Sequence, residues 1–253
     1  MKISKDVSEN SKKYFHNLGL KVRHRYLDPH WWSLRLAPSL STILPHRLVM
    51  GLIARSALFG GEPELRILRN IVSPERVALD VGAAEGVYSW HLARVAASCI
   101  AFEPNPASVR ELKKRLPNVE VMPFAISDVS GQAKLRIPLS THNALAGWAT
   151  IETENTLSGF DGVQEVAIET RTLDSMDLKN IGFIKIDVEG HEISVLRGGE
   201  RCIVRERPVL LIEIEEKHSP GALKNVTEWL QMRDYYCDDM KLSPQNYLFR
   251  PKK

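Results

Sequence analysis

The chain has 253 residues, of which 43% are hydrophobic, so it can bury a sizeable core and is not disordered throughout. Its formal net charge is only +3, and the basic excess is confined to residues 1–50, which hold nine Lys and Arg against three Asp and Glu. Binding of nucleic acid is therefore not expected of the chain as a whole. The three cysteines follow no metal or redox spacing, and we interpret them as buried thiols.

The first seventy residues differ in character from the rest. They combine basic and aromatic residues with apolar runs that are interrupted at Pro38 and Pro45, a pattern that predicts short helices. We therefore expect residues 1–70 to form an N-terminal helical extension and residues 71–253 to form the main domain.

Two adjacent tryptophans, Trp31 and Trp32, lie near several arginines in this extension. Packing against the main domain accounts for them most simply, and peripheral contact with a membrane surface is the alternative. The chain starts without an apolar leader, and its most apolar run is far shorter than the roughly 20 residues that span a bilayer. We expect a cytoplasmic protein, membrane-associated if the tryptophans contact lipid.

From about residue 75 onwards, short apolar runs alternate with helical patterns. Strands are predicted at residues 76–81, 99–104, 119–126, 183–188 and 208–214. Helices are predicted at residues 87–96 and 107–116, near 190–200 and at 220–232. The closing segment has a turn at Ser243-Pro244 and suits a terminal hairpin. Strands that alternate with helices predict an α/β fold with a Rossmann-like, doubly wound and mainly parallel sheet.

The turn after the first predicted strand has the pattern of a ligand cradle. Asp80, Gly82 and Gly86 form D-x-G-x-x-x-G, and Ala84 stands where a dinucleotide-binding G-x-G-x-x-G would have its middle glycine. A pyrophosphate is therefore the weaker candidate. Backbone N–H groups at a helix start can instead hold the carboxylate of a nucleoside with a small charged tail, such as S-adenosylmethionine.

Two acids follow the next strands. Glu103 ends the second strand, where a carboxylate can accept hydrogen bonds from two ribose hydroxyls, although it could also cap the helix that begins near Asn105. Asp128 follows the third strand and suits a hydrogen bond to an adenine amino group, while a turn aspartate is nearly as good an account.

The segment IKIDVEGHEISVLRGG, residues 184–199, concentrates polar groups where a buried strand ends. Asp187, Glu189 and His191 are costly to place at a ligand crevice unless they serve the chemistry there. Glu189 and Glu192 also favour the first turn of a helix through its dipole, but this does not account for Asp187. The sequence therefore predicts catalytic groups at this strand end.

The motifs together resemble one family. LDVGAAEGVYS, FEPNP, AISD, TLD and KIDVEGHE, spread over roughly residues 70–215, resemble the FkbM family of S-adenosylmethionine-dependent methyltransferases. The resemblance implies the class I methyltransferase form of the doubly wound sheet, with a final antiparallel strand. It also implies O-methylation of a hydroxyl on a sugar, a glycolipid or a related natural product.

The resemblance also assigns roles to individual positions. The methionine end of the cofactor is assigned to Asp80, Gly82 and Gly86, and Ala83 in the same turn is also expected to bind the cofactor. The ribose is assigned to Glu103 and the adenine to Asp128. The transferred methyl group and the acceptor hydroxyl are assigned to Asp187 and Glu189, and His191 is an alternative base.

A sugar hydroxyl is a weak acid, and a bound divalent cation such as Mg²⁺ would make its proton easier to remove. Asp187, with Glu213 or Glu215 at the end of the fifth strand, could supply oxygen ligands for such a cation. The two glutamates are also plausible as ordinary exposed acids at a strand end.

Acceptor binding is expected in the long loop at residues 140–162, between the strand-like runs GQAKLRIPL and VQEVAIETRTL. The candidates are His142, Asn143 and Trp148, because an aromatic face can stack on a sugar ring while amide and imidazole groups bind its hydroxyls. Trp148 could equally be a core anchor.

Two other classes of function remain open from the sequence. A nucleotide-dependent oxidoreductase would account for the glycine turn and Glu103, but G-x-G-x-x-G is missing. A non-catalytic cofactor-binding protein would not require Asp187 and Glu189 in the crevice.

Overall fold

The computed structural model describes residues 36–252 apart from positions 38, 61, 141–142, 154, 156, 158–159, 217–218 and 241–242. Trp31 and Trp32, for which we considered a membrane contact, lie outside the described residues. The chain divides into two compact units between Glu62 and Pro63.

The described part of the first unit contains helix α1, His46–Gly60, which begins directly after Pro45. Proline suits this position because a helix start leaves its N–H groups unpaired in any case. One face of α1 is buried and the other is exposed, with Leu48, Leu52 and Phe59 in water. In the described part of the chain, no helix has the length and apolar character of a membrane span.

The second unit is built on a seven-stranded sheet. Its strands are β1 Val77–Val81, β2 Ser98–Phe102, β3 Glu120–Met122, β8 Ile181–Ile186, β9 Val209–Glu213, β10 Tyr235–Cys237 and β11 Asn246–Pro251. Their order across the sheet is β10-β11-β9-β8-β1-β2-β3. Strands β3, β2, β1, β8 and β9 run parallel, and β11 is antiparallel to both β9 and β10. The predicted doubly wound sheet with a terminal antiparallel hairpin is confirmed.

Helices connect these strands as the alternating pattern predicted. They are α3 Val87–Leu92, α4 Pro106–Arg115, α5 Glu192–Gly198, α6 Glu200–Glu206 and α7 Ala222–Gln231, and the short helix α2 Leu68–Ile71 precedes β1. Short 3₁₀ turns occur at Pro63–Arg66, Ala146–Trp148 and Leu173–Met176. All six residues of β8 are buried, which explains the nearly continuous apolar run in its sequence.

A second, four-stranded sheet differs from the prediction. It has the order β4-β7-β5-β6, with β4 Ala125–Ile126, β5 Gly131–Ser140, β6 Asn143–Ala144 and β7 Gly162–Arg171. The predicted strand 119–126 is therefore two strands in two sheets. Pro123 lies at the break, where its lack of an N–H prevents it from donating to a strand ladder.

The second sheet has a small core of its own, made of Ala125, Leu135, Ile137 and Ile168. Its long hairpin of β5 and β7 pairs continuously from Gly131–Thr170 to Leu139–Gly162. The loop expected to bind the acceptor therefore joins the two arms of a regular hairpin.

Candidate active site

A crevice opens at the carboxyl ends of β1, β2 and β8, with about 590 Å³ of space continuous with solvent. The strand order reverses between β1 and β8, and open α/β sheets bind ligands at such a point. The main sheet lines the crevice mainly with Gly82, Ala84, Glu103, Pro104, Asp187, Val188, Glu189 and His191. The second sheet and its loop line it with Ala125, Ile126, Leu135, Gly147, Ala149 and Ile151.

Gly82 is required because two backbone segments, the turn after β1 and the end of β8, pack closely where the strand order reverses. Its φ is +85°, and a Cβ atom there would lie 1.8 Å from the carbonyl oxygen of Asp187. The Asp187 N–H in turn donates to the Val81 carbonyl at 2.9 Å. The glycine therefore lets the end of β8 approach the turn after β1, and this places Asp187 at the crevice.

Asp80 and Gly86 stabilise the turn through their packing and are not among the described residues that line the crevice. Asp80 is buried and accepts a hydrogen bond from the Ser89 hydroxyl at 2.5 Å, which ties helix α3 to β1. A Cβ atom on Gly86, whose φ is +84°, would lie 2.5 Å from Leu112 and 2.8 Å from Leu116. Both residues were expected at the methionine end of the cofactor. That role stays a prediction, and each residue also has a packing role in the turn.

Ala83 is buried and its N–H donates to the carbonyl of Phe102 at 3.1 Å, next to a 3.0 Å bond from the Gly82 N–H. These amides connect the turn to the end of β2. Of the predicted turn residues, Gly82 therefore lines the crevice, while Ala83 holds the turn in place.

Glu103 lies buried at the end of β2 and lines the crevice. Its carboxylate accepts hydrogen bonds from the N–H groups of Ala84 and Asn105, each at 2.8 Å. Asn105 is the N-cap of α4, since its side chain accepts from the Ala107 N–H. Burial raises the pKa of Glu103 from 4.5 to about 7, although the two amide hydrogen bonds oppose the shift.

Glu189 has an unusual backbone conformation just beyond β8. Its φ is +51°, a left-handed value that a residue with a side chain adopts only when its surroundings hold it there. Its carbonyl accepts hydrogen bonds from the Thr150 hydroxyl at 2.9 Å and from the Asn155 amide at 3.3 Å. The loop of the second sheet thus holds the backbone of a predicted catalytic residue.

Glu192 has the structural role that its position in the helix suggested. Its carboxylate accepts from the Gly190 N–H at 2.8 Å, at the start of α5. An acid in this first turn is also favoured by the helix dipole.

His191 lies at the rim of the crevice and connects two segments that the sequence did not associate with it. Its Nδ1 is 3.1 Å from a carboxylate oxygen of Glu152, and its Nε2 is 3.0 Å from the Ser127 hydroxyl. The Ser127 hydroxyl also lies 3.1 Å from Asp128, which is exposed and is not among the described lining residues. The Glu152 carboxylate can orient the imidazole, and the second ring nitrogen is engaged with the Ser127 hydroxyl.

Lys185 was also missed by sequence reasoning, although it belongs to the KIDVEGHE motif. It is fully buried in β8, and its ammonium lies 3.0 Å from the Asn246 side-chain oxygen. The same ammonium lies 3.7 Å from Asp187 and 3.5 Å from Glu213. The available signal was a lysine inside an otherwise apolar strand.

The Lys185 contacts bear on the predicted divalent cation. A cation bound by Asp187 and Glu213 would lie beside a buried ammonium, so this donor set does not fit one. Glu215 follows the end of β9 by two residues. Within the described ranges, no group of three or more His, Cys, Asp and Glu side chains is placed to hold a metal ion.

The two predicted acceptor residues that the structure describes, Asn143 and Trp148, are not among the described residues that line the crevice. Trp148 is half-buried and its ring contacts Phe160 edge-on, with centroids 5.5 Å apart, while its neighbours Gly147 and Ala149 line the crevice. Asn143 belongs to β6, and His142 lies outside the described residues.

The fold and the site together define a class, a Rossmann-like α/β protein with its ligand crevice at the reversal of strand order. The chain belongs to the FkbM methyltransferase family, because the model of the Methyltransferase FkbM domain matches residues 80–239, more than half of its length. It is therefore a methyltransferase, and the predicted family is confirmed. The oxidoreductase alternative is not supported.

Two curated proteins and one solved structure illustrate the relationship. The chain is 29% identical to the 2-O-methyltransferase NoeI of Sinorhizobium fredii over 163 residues, 56% of this chain and 67% of that protein. It is 27% identical to the hexuronic acid methyltransferase AglP of Haloferax volcanii over 195 residues, 74% of each. The FkbM methyltransferase structure from Methylobacillus flagellatus aligns with a TM-score of 0.51 at 20% identity, over 70% of this chain. That alignment spans 44% of the other chain, and it shows a shared fold.

Proposed function

We propose that the protein is an S-adenosylmethionine-dependent O-methyltransferase that acts on a hydroxyl of a sugar, a glycolipid or a related natural product. The observation that carries the proposal is the convergence of Glu103, Gly82 and Asp187 in one crevice at the switch point of the sheet. Glu103 can then bind the ribose of a ligand while Asp187 faces the reacting groups of the same complex.

The cofactor fits the residues of this crevice. The Glu103 carboxylate can accept from ribose hydroxyls, and the apolar wall of Ile126, Leu135 and Ile151 suits a flat adenine ring. S-adenosylmethionine, when bound, supplies a methyl group already activated by a positive sulfonium. The acidic side chains that line the crevice favour binding of that positive charge. Since Asp128 lies outside the lining, we assign the adenine contact to Ile126 instead.

Two features support a sugar hydroxyl as the acceptor. The relatives NoeI and AglP are named as a 2-O-methyltransferase and a hexuronic acid methyltransferase, so one name states transfer to oxygen and the other states a sugar acceptor. In this chain Asp187 and Glu189 line the crevice, so a neutral hydroxyl is favoured over a carboxylate, which these acids would repel. Asp187 can accept the hydroxyl proton as the oxygen attacks, and His191 with Glu152 is the alternative base.

The cofactor assignment is tested by isothermal titration with S-adenosylhomocysteine. Wild-type protein is expected to bind it with a Kd on the order of micromolar, and Glu103→Ala is expected to weaken binding at least about 50-fold, because two ribose hydroxyls lose their acceptor. NADH serves as the control ligand and is expected not to bind. Absence of S-adenosylhomocysteine binding by the folded wild-type protein would contradict the proposal.

The raised pKa of Glu103 predicts how cofactor binding depends on pH. Ribose hydroxyls donate to the ionised carboxylate, which forms as the pH rises through about 7. Affinity for S-adenosylhomocysteine is therefore expected to increase about tenfold from about pH 6 to about pH 8. Because the folded chain holds this proton more tightly than the unfolded chain does, the same ionisation lowers stability as the pH rises from about 4.5 to about 7.

The measurement is a titration series across this pH range, with Glu103→Gln as the matched variant. This isosteric change removes the titrating group, so its weaker binding is expected to vary little with pH. Equal pH dependence in the two proteins would show that a different group is responsible.

A further inference from the structure

Lys185 belongs to a cluster of polar side chains on one face of the main sheet. Residues two apart in a strand share a face, so Lys185 and Asp187 point the same way near the end of β8. Lys185 pairs in register with Leu211 of β9, and Glu213 lies two residues further on the same face. Glu213 pairs in turn with Asn246 of β11. The sheet itself therefore brings these four polar side chains together.

The ammonium of Lys185 lies at the centre of this cluster. Its nitrogen has an amide oxygen at 3.0 Å and carboxylate oxygens at 3.5 and 3.7 Å, and the centroid of the Tyr88 ring lies at 4.9 Å. The lysine is fully buried, whereas the side chains of Asp187 and Glu213 retain 31% and 28% of their exposure. A buried ammonium is stable only with such partners, so the cluster is built around a positive charge.

We propose that Lys185 is a positioning residue whose ammonium takes the place that a divalent cation would occupy between Asp187 and Glu213. This inference rests on the proposed function. The ammonium lies between the two carboxylates, 3.7 Å from Asp187 and 3.5 Å from Glu213, and directs Asp187 to the crevice. When the acceptor oxygen forms its bond to the methyl carbon and the carbon–sulfur bond breaks, the hydroxyl proton passes to Asp187. The chain supplies its own cation for this arrangement.

Mn²⁺ titration tests the inference without any acceptor. Mn²⁺ favours the same hard oxygen ligands as Mg²⁺ and is followed directly by electron paramagnetic resonance. Wild-type protein is expected to bind no Mn²⁺ at this site at about 1 mM. Lys185→Met removes the ammonium and is one atom shorter than lysine, so it vacates the place of Nζ between two carboxylates and an amide oxygen, and Mn²⁺ affinity is expected to rise at least about tenfold. The double variant Lys185→Met/Asp187→Asn is expected to lose this gain in Mn²⁺ affinity.

The matched control is Lys134→Met, which removes an exposed lysine paired with Glu165 at 2.8 Å on the second sheet. Its Mn²⁺ binding is expected to equal that of wild type. Binding of S-adenosylhomocysteine, measured on every variant, reports on the proposed function separately, because the Mn²⁺ result does not depend on it.

Two results would overturn the inference. One is Mn²⁺ binding by wild-type protein that is lost in Asp187→Asn, since a cation would then already occupy the site. The other is a folded Lys185→Met protein with no gain in Mn²⁺ affinity. If Lys185→Met does not fold, the Mn²⁺ titrations of the wild-type protein and of Asp187→Asn test the inference.

Discussion

Substitution of Gly82 by alanine is expected to lower the free energy of unfolding by on the order of 4 kcal/mol and to abolish binding of S-adenosylhomocysteine. The new methyl group would lie 1.8 Å from the Asp187 carbonyl oxygen, and this contact is with backbone that cannot rotate away. The turn after β1 and the end of β8 would have to separate. That separation would move Asp187, and the crevice would lose its shape.

Two other glycines provide controls for this experiment. Gly221 has nearly the same φ, +84°, but a Cβ atom there meets nothing within 4 Å, so Gly221→Ala measures the cost of the conformation alone, about 1 kcal/mol. Gly131 has open space as well, and its alanine variant is expected to be close to wild type. Chemical denaturation measures all three. Equal losses for Gly82→Ala and Gly221→Ala would show that the backbone contact does not constrain the turn.

Asp187→Asn is expected to reduce the kcat of methyl transfer by about 10² to 10⁴-fold while the Kd for S-adenosylhomocysteine changes less than about threefold. The amide keeps the size of the side chain but cannot take the hydroxyl proton. The assay follows transfer of a labelled methyl group to a panel of sugar glycosides, with methyl glucoside and methyl glucuronide to compare a neutral with a carboxylate-bearing acceptor. A fully active Asp187→Asn enzyme would show that Asp187 does not accept the hydroxyl proton.

His191→Asn and Glu152→Gln separate the two candidate bases in the same assay. If the His191–Glu152 pair removes the proton, both variants lose more activity than Asp187→Asn does. Glu165→Gln is the matched acidic control, because Glu165 is exposed on the second sheet and lies outside the described lining of the crevice.

The sequence predicted the parts of the site that follow from strand ends. Parallel strands bring their carboxyl ends to one edge, so Glu103 and Asp187 could be assigned to the crevice from their positions after apolar runs. Residues that act through tertiary partners could not be assigned in this way. The glycine spacing suggested a ligand, and Gly82 lines the crevice. The spacing did not reveal that Gly82 also accommodates Asp187 or that Gly86 accommodates Leu112.

Contacts between distant segments account for the other differences. The pairing of His191 with Glu152 depends on the position of the β5–β7 hairpin loop, and no local pattern specifies it. Pro123 divides one predicted strand between two sheets, which is why the second sheet was not expected. Lys185 was visible as a charged residue in a buried strand, but its partners Glu213 and Asn246 follow only from the register of three strands.

The anchoring of the hairpin loop has a consequence for engineering. Arg136 donates to the backbone carbonyls of Glu152, Thr153 and Asn155, and the same stretch holds the Glu189 carbonyl through Thr150 and Asn155. Residues 143–149 lie before these anchors. A segment exchanged there can present a new surface to the sugar while the reacting end of β8 keeps its geometry. We therefore expect acceptor preference and catalytic competence to be separable in this fold, and loop grafting to be the direct way to change the acceptor.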